Sequence, residues 1–315
     1  MANTIERLTV TPIHPCFGAR VEGVTLAEPM DERVFKQIHD AFQEFSVLVF
    51  HDQRLDDAQQ MAFSRRFGPL ETTLKATGRE NRLHPNLVDL SNTDPDRDDK
   101  LMGWNDRRMV YQSGNQLWHT DSSFKPVPAM ASLLSGREVP PVGGETEFVS
   151  MRHAYATLSP AEREPLEGEI AVHSILYSRS TIAQGLFDTD DAQGLPPVRQ
   201  ALVRANPVNG RKSIYIGSHA WYIEGLSYEE SRRILEDLLA HTTRPERVYQ
   251  HRWRQWDLVM WDNRCMLHRG RLWDSERYPR IMRRTTVAGE GPTAHPPLAT
   301  RAPVWEGIIP EGSGV

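Results

Sequence analysis

Apolar residues in this chain recur at two spacings, and the shorter one dominates. Helical spacing is seen first in "MDERVFKQIHDAFQEF", where Val34, Ile38, Ala41, Phe42 and Phe45 fall on one side and Asp31 is placed to cap the helix. The buried strand "SVLVF" follows at once, and "DDAQQMAFSRRFG" reads as a short helix closed by Gly68. "SPAE" at 159–162 and "SYEE" at 227–230 have the form of capping boxes, the second opening a helix that carries Ile234, Leu235, Leu238 and Leu239.

Elsewhere the chain consists of short β-like runs punctuated by Gly and Pro: "AMASLLS", "ETEFVSM", "EIAVHSILY", "ALVRA", "KSIYIG", "VYQHRW", "DLVMW" and "RIMRRTTV". Strands do not alternate strictly with helices, so the pattern predicts a mainly β fold with covering helices, a jelly roll rather than a doubly wound sheet. Residues 76–112 and 178–200 read as long loops of the kind that act as lids. The expected organisation is one jelly-roll domain over residues 1–290 with lid insertions near 76–112 and 178–200, and a Pro/Gly-rich extension over 291–315.

Composition narrows the function classes. A formal net charge of -5, with Lys and Arg scattered among acids, gives no footprint for nucleic acid. Cys16 and Cys265 are the only cysteines and stand far apart, so neither a disulfide framework nor a thiolate metal site is expected. With no long apolar run and no leader-like start, the expectation is a cytoplasmic protein that does not engage membranes. The Pro-rich tail suggests a homo-oligomer.

The chemistry gathers around "LWHTDSSF". On an extended segment His119 and Asp121 project side by side, able to fill two adjacent positions on a divalent metal. A facial iron site needs a further histidine, and His268 stands out because "DLVMWDNRCMLHRGR" reads as an apolar strand that ends in an imidazole. His219, in "IGSHAWYIEGL", is kept as a pocket residue. "PRIMRRTTV" places Arg280, Met282 and Arg284 on one strand face, and guanidinium grips carboxylates bidentately. Four strand residues span roughly 13 Å, so Arg280 and Arg284 can hold two different anions. Thr146, in "GGETEF", can donate to the same carboxylate as Arg280.

Together "HPCFGARVEGVTL", "FSRRFGPLE", "NQLWHTDSSF", "VPPVGGETEF", "LVMWDNRCMLHRGR" and "RIMRRTTV" resemble the Fe(II)/2-oxoglutarate dioxygenases related to taurine dioxygenase and 2,4-dichlorophenoxyacetate dioxygenase, nearest the second branch. The resemblance implies a double-stranded β-helix of cupin-like form. It also implies that His119, Asp121 and His268 ligate iron, that Thr146 and Arg280 hold the distal carboxylate of 2-oxoglutarate, and that Arg284 faces the acidic group of the substrate. Asn115 matches a position lining the substrate pocket, and Lys75 is a second candidate contact for a substrate carboxylate.

The expected cofactors are Fe(II), 2-oxoglutarate as co-substrate, and O2; no catalytic residue beyond the metal ligands is expected. The expected partner is a small anionic substrate such as an aryloxyalkanoate. Hydroxylation next to the ether oxygen of an aryloxyacetate would release a phenol and glyoxylate, with succinate and CO2 as co-products. A taurine, alkylsulfonate or alkyl sulfate dioxygenase would share every iron and co-substrate residue. A zinc hydrolase would need a poised general base. A non-enzymatic metal-binding jelly-roll module would have no use for a carboxylate-clamping Arg280.

Overall fold

The computed structural model describes residues 8–72, 83–94, 100–183, 185–186 and 194–294. Alternation along the strands sets the architecture. In Val47–Phe50, Leu48 and Phe50 join one apolar cluster and Val47 and Val49 another, as successive strand residues must. Leu258 and Met260 against Val259 and Trp261 repeat the division in Leu258–Asp262.

These strands belong to a seven-stranded sheet in the order Thr9–Pro12, Ala19–Glu22, Val47–Phe50, Leu258–Asp262, Ala131–Glu138, Ile281–Val287, Val88–Asp89. Only the pairing of Ala19–Glu22 with Val47–Phe50 is parallel. On one face the sheet is covered by the helices Glu32–Phe45 and Asp57–Arg65, whose Ile38, Phe42 and Phe63 pack with Leu133, Leu258 and Met260. Full burial of a side chain such as Ile38 is worth about 1.5–3 kcal/mol.

On the opposite face, Leu134, Val259, Trp261 and Met282 meet Phe148 and Met266 from a smaller antiparallel sheet, Tyr249–His251, Thr146–Ser150 and Met266–Gly270. A further sheet of Val198–Ala201, Ile170–His173 and Ala220–Ile223 carries the helix Tyr228–Thr242. The whole is the expected jelly roll. Both capping boxes form, at Ser159–Glu162 and Ser227–Glu230, and Asp31 caps the first helix.

Several sequence expectations need correction. "DLVMWDNRCMLHRGR" is not one strand ending at His268 but two, Leu258–Asp262 and Met266–Gly270, and His268 lies in the middle of the second. Those strands belong to different sheets, so the intervening corner carries the chain from one layer to the other. "EIAVHSILY" is a strand only to His173, because Ser174 caps the helix Ile175–Ser180. The helix Asp57–Arg65 stops three residues before Gly68.

Residues 76–112 are not structureless where they are described. Val88–Asp89 forms an edge of the large sheet, and Arg107–Ser113 is a helix. Residues 76–82, 95–99, 187–193 and 295–315, with Lys75, lie outside the described residues, as do parts of both expected lids and most of the tail.

Candidate metal centre and active-site cleft

His119 and His268 stand directly opposite each other across the chain. The His119 N–H donates to the His268 carbonyl at 3.0 Å and the His268 N–H to the His119 carbonyl at 2.8 Å, an isolated antiparallel bridge. Their rings lie 4.1 Å apart. His119 Nδ1 sits 2.7 Å from the Leu117 carbonyl, which can only accept, so the ring proton is on Nδ1 and the Nε2 lone pair is free. That nitrogen is 3.9 Å from Asp121 Oδ1, and His268 Nε2 is 3.8 Å from Asp121 Oδ2. The segment bearing His119 and Asp121 is extended at His119 but turns at Asp121 rather than running on as a strand.

Asp121 is held from several sides. Ser132 Oγ donates to Oδ2 at 2.7 Å, Arg284 Nη1 to Oδ1 at 2.5 Å, and the Asp121 backbone N–H donates to Asn263 Oδ1 at 3.1 Å. Asn263 is fully buried at the inter-sheet corner, where it accepts from Trp261 Nε1 and donates to Ser132 Oγ. One side chain thereby ties the corner to the Asp121 backbone and, through Ser132, to the carboxylate and the large sheet.

Burial pushes the His119 imidazole down to about 4, against the opposing pull of Asp121. His268 falls well below its ordinary value through burial and the neighbouring His119. Burial also acts to raise Asp121, but Arg284 and the two imidazoles outweigh it and hold the carboxyl well below its usual range. At neutral pH the set is two neutral imidazoles and one carboxylate, the protonation state a metal requires.

The three donor atoms lie within 4.8 Å of one another, the only such grouping among the described residues. Two donors bound at ~2.1 Å to one ion can be at most ~4.2 Å apart. Each imidazole Nε2 lies within that limit of one of the two Asp121 oxygens, and the donor types, two neutral imidazoles and a carboxylate, suit a divalent cation.

His119 and His268 line a narrow cleft, open to solvent, that also receives Thr146, Arg280, Arg284 and Asn115. Arg280 is buried, yet no ion pair among the described residues involves it. Its Nε donates to the Gly144 carbonyl at 3.3 Å, and its guanidinium lies 5.3 Å from the Trp273 ring. Burial alone pushes it down to about 10, so it remains a cation. Thr146 Oγ1 accepts from Trp253 Nε1 at 3.0 Å. Leu90, Trp104, Met109, Leu134 and Trp273 give the cleft an apolar side.

Two expectations shift. Arg284 reaches the cleft, but one of its five donors is engaged by Asp121, so it braces a candidate metal donor as well as facing the open space. His219 does not line the cleft. It is buried, with Nδ1 2.8 Å from Ser178 Oγ and its ring edge-on to His119. Asn263, Ser132 and Trp253 were not anticipated. A serine inside the apolar run "AMASLLS" was the legible signal for Ser132, and the polar "DNR" inside "DLVMWDNRCMLHRGR" was the one for Asn263; nothing local marked Trp253.

The chain is similar to curated proteins along most of its length. It is 43% identical over 282 residues to an alpha-ketoglutarate-dependent 2,4-dichlorophenoxyacetate dioxygenase of Cupriavidus pinatubonensis, covering 89% of this chain and 98% of that protein. It is 38% identical over 287 residues to an (S)-phenoxypropionate/alpha-ketoglutarate-dioxygenase of Sphingobium herbicidovorans, covering 89% and 95%. The crystal structure of AAD-2 in complex with Mn(II) and N-oxalylglycine superposes with a TM-score of 0.84 at 41% identity, covering 91% of this chain and 99% of that one. The model of the taurine catabolism dioxygenase TauD, TfdA family matches residues 9–286, and with a facial His-Asp-His set inside a jelly roll the chain belongs to that family.

Proposed function

We propose that this chain is an Fe(II)/2-oxoglutarate-dependent dioxygenase that hydroxylates an aryloxyalkanoate beside its ether oxygen. The observation that carries the reading is Arg280: a buried cation without an acidic partner among the described residues, in the same cleft as three converging candidate metal donors. A buried charge is costly unless paired, and a dicarboxylate seated on the metal supplies the pair.

His119, Asp121 and His268 would hold the metal through one face, leaving three positions for the keto acid and oxygen. When bound, Fe(II) couples the oxidative decarboxylation of 2-oxoglutarate by O2, giving succinate and CO2, to insertion of the second oxygen atom into a substrate C–H bond. Arg280 and Thr146 orient the co-substrate by its far carboxylate. Arg284 fixes the substrate carboxylate with the donors that Asp121 does not use, which selects the carbon presented for attack. Trp104, Met109 and Leu90 offer an apolar surface to the aryl ring. For an aryloxyacetate the product is a hemiacetal that collapses to a phenol and glyoxylate.

The relatives named for 2,4-dichlorophenoxyacetate and (S)-phenoxypropionate support this substrate class. The test is anaerobic loading with ferrous iron and 2-oxoglutarate, then oxygen with a panel of aryloxy acids, alkyl sulfonates and alkyl sulfates, scoring succinate. Stoichiometric succinate and phenol with an aryloxy acid are expected. Succinate that rises only with a sulfonate or sulfate would overturn the substrate assignment.

A further inference from the structure

We infer that Trp253 is a positioning residue that fixes the direction in which Thr146 donates its proton, and so sets the affinity for the dicarboxylate co-substrate. The inference rests on the reading of Thr146 as a contact to 2-oxoglutarate. A threonine hydroxyl has one proton and two lone pairs, and either group in a hydroxyl–hydroxyl bond can act as donor. An indole N–H can only donate. In the 3.0 Å bond between Trp253 Nε1 and Thr146 Oγ1 the threonine must therefore accept.

Its own proton is left over, and among the described residues it finds no acceptor. Thr146 is buried except where it meets the cleft it shares with Arg280. That leftover proton is the one an anion in the cleft would take.

The indole is held firmly enough to act this way. Thr146 pairs with His251 in the strand register, which brings Trp253, two residues on, alongside the hydroxyl. The His251 ring packs edge-on against the indole at 4.6 Å, and His251 and His51 both lie against Asp257, at 3.1 and 2.7 Å. On another side Gly136 admits the ring: a Cβ there would lie 3.2 Å from Trp253 Cε3. Trp253 does not itself line the cleft, so it acts through Thr146 and not on the ligand.

The test is a double-mutant cycle on 2-oxoglutarate binding, followed by calorimetry of the anaerobic Mn(II)-loaded protein. Trp253→Phe keeps the aromatic packing and removes the N–H; it is expected to weaken 2-oxoglutarate about three- to tenfold, with kcat at saturating co-substrate nearly unchanged. Thr146→Val is expected to weaken binding at least as much, and in that background Trp253→Phe should cost nothing further.

Unaltered binding in Trp253→Phe, or an equal loss with and without the Thr146 hydroxyl, would overturn the inference. Unaltered binding in Thr146→Val would instead overturn the reading of Thr146 itself. If Trp253→Phe does not fold, the indole 15N–1H resonance of Trp253 in the Zn(II)-loaded parent replaces it. Addition of 2-oxoglutarate should shift that resonance in the parent but not in Thr146→Val, and an unmoved parent resonance overturns the inference.

Discussion

Replacing Arg280 by methionine should raise the stability of the metal-free protein while nearly abolishing its grip on 2-oxoglutarate. The Arg280 guanidinium falls from an ordinary 12.5 to about 10 through burial alone. At 1.36 kcal/mol per unit, the folded protein carries a penalty on the order of 3 kcal/mol for an uncompensated charge. Methionine fills similar space without that charge. It also forfeits the bond from Arg280 Nε to the Gly144 carbonyl, which at 3.3 Å is long and worth under about 1 kcal/mol.

Losing the 5.3 Å contact with the Trp273 ring costs about 0.5–1 kcal/mol more, so the net gain is about 1–2 kcal/mol, or roughly 2–6 °C in Tm for a chain of this size. Loss of a charge-assisted bond to the co-substrate should weaken binding by about 10–150-fold. Scanning calorimetry of the metal-free protein and titration of the Mn(II)-loaded protein with 2-oxoglutarate measure the two effects. A variant that melts earlier than the parent and still binds 2-oxoglutarate normally would mean that the guanidinium is structural, and the argument from its isolation would fail.

Other consequences can be checked in parallel. Because burial holds His119 near 4 and His268 well below 6.5, Mn(II) affinity should change less than about threefold between pH 7.5 and 5.5; two ordinary imidazoles would lose about tenfold each. The same depressed values mean that the unfolded metal-free chain takes up protons first, so stability should be full above about pH 6.5 and decline as pH falls towards 4, as urea titrations at several pH values would record. Ser132→Ala removes the hydroxyl that donates to Asp121 Oδ2 and accepts from buried Asn263 Nδ2, so Mn(II) affinity measured by calorimetry should drop about tenfold and stability in denaturant should fall by about 1–3 kcal/mol. Gly144→Ala sets a side chain at φ +70 with its Cβ 3.2 Å from Arg280 Cδ, so it should lower stability by about 1–2 kcal/mol in denaturant and weaken 2-oxoglutarate at the same time.

What the chain disclosed unaided follows from how local each signal is. His119 and Asp121 were legible because an i, i+2 spacing on extended backbone needs nothing distant to interpret. Arg280 and Arg284 were legible as carboxylate partners by residue type, but the Arg284–Asp121 pair joins residues far apart in sequence and no local pattern announces it. His219 misled because an imidazole among aromatics reads alike whether it faces a pocket or packs beside one; only the third dimension sets it edge-on to His119 and outside the cleft lining. The position of His268 was missed for the same kind of reason. Asp262, Asn263 and Arg264 interrupt the apolar run at the corner, but what turns them there, Asn263 bonded to Asp121 and Ser132 as well as to nearby Trp261, is distant in sequence.

The reciprocal backbone bonds between His119 and His268 also bear on biosynthesis. The two imidazoles belong to strand partners separated by almost half the polypeptide, and closing so long a loop precedes any benefit from the contact. A ribosome-bound fragment ending before Met266 would carry only two of the three candidate donors, His119 and Asp121, so the set is complete only after most of the chain has been made. Slippage of that bridge by one residue would swing one imidazole to the opposite side, which makes tight metal uptake a sensitive report on whether the two layers have closed in register.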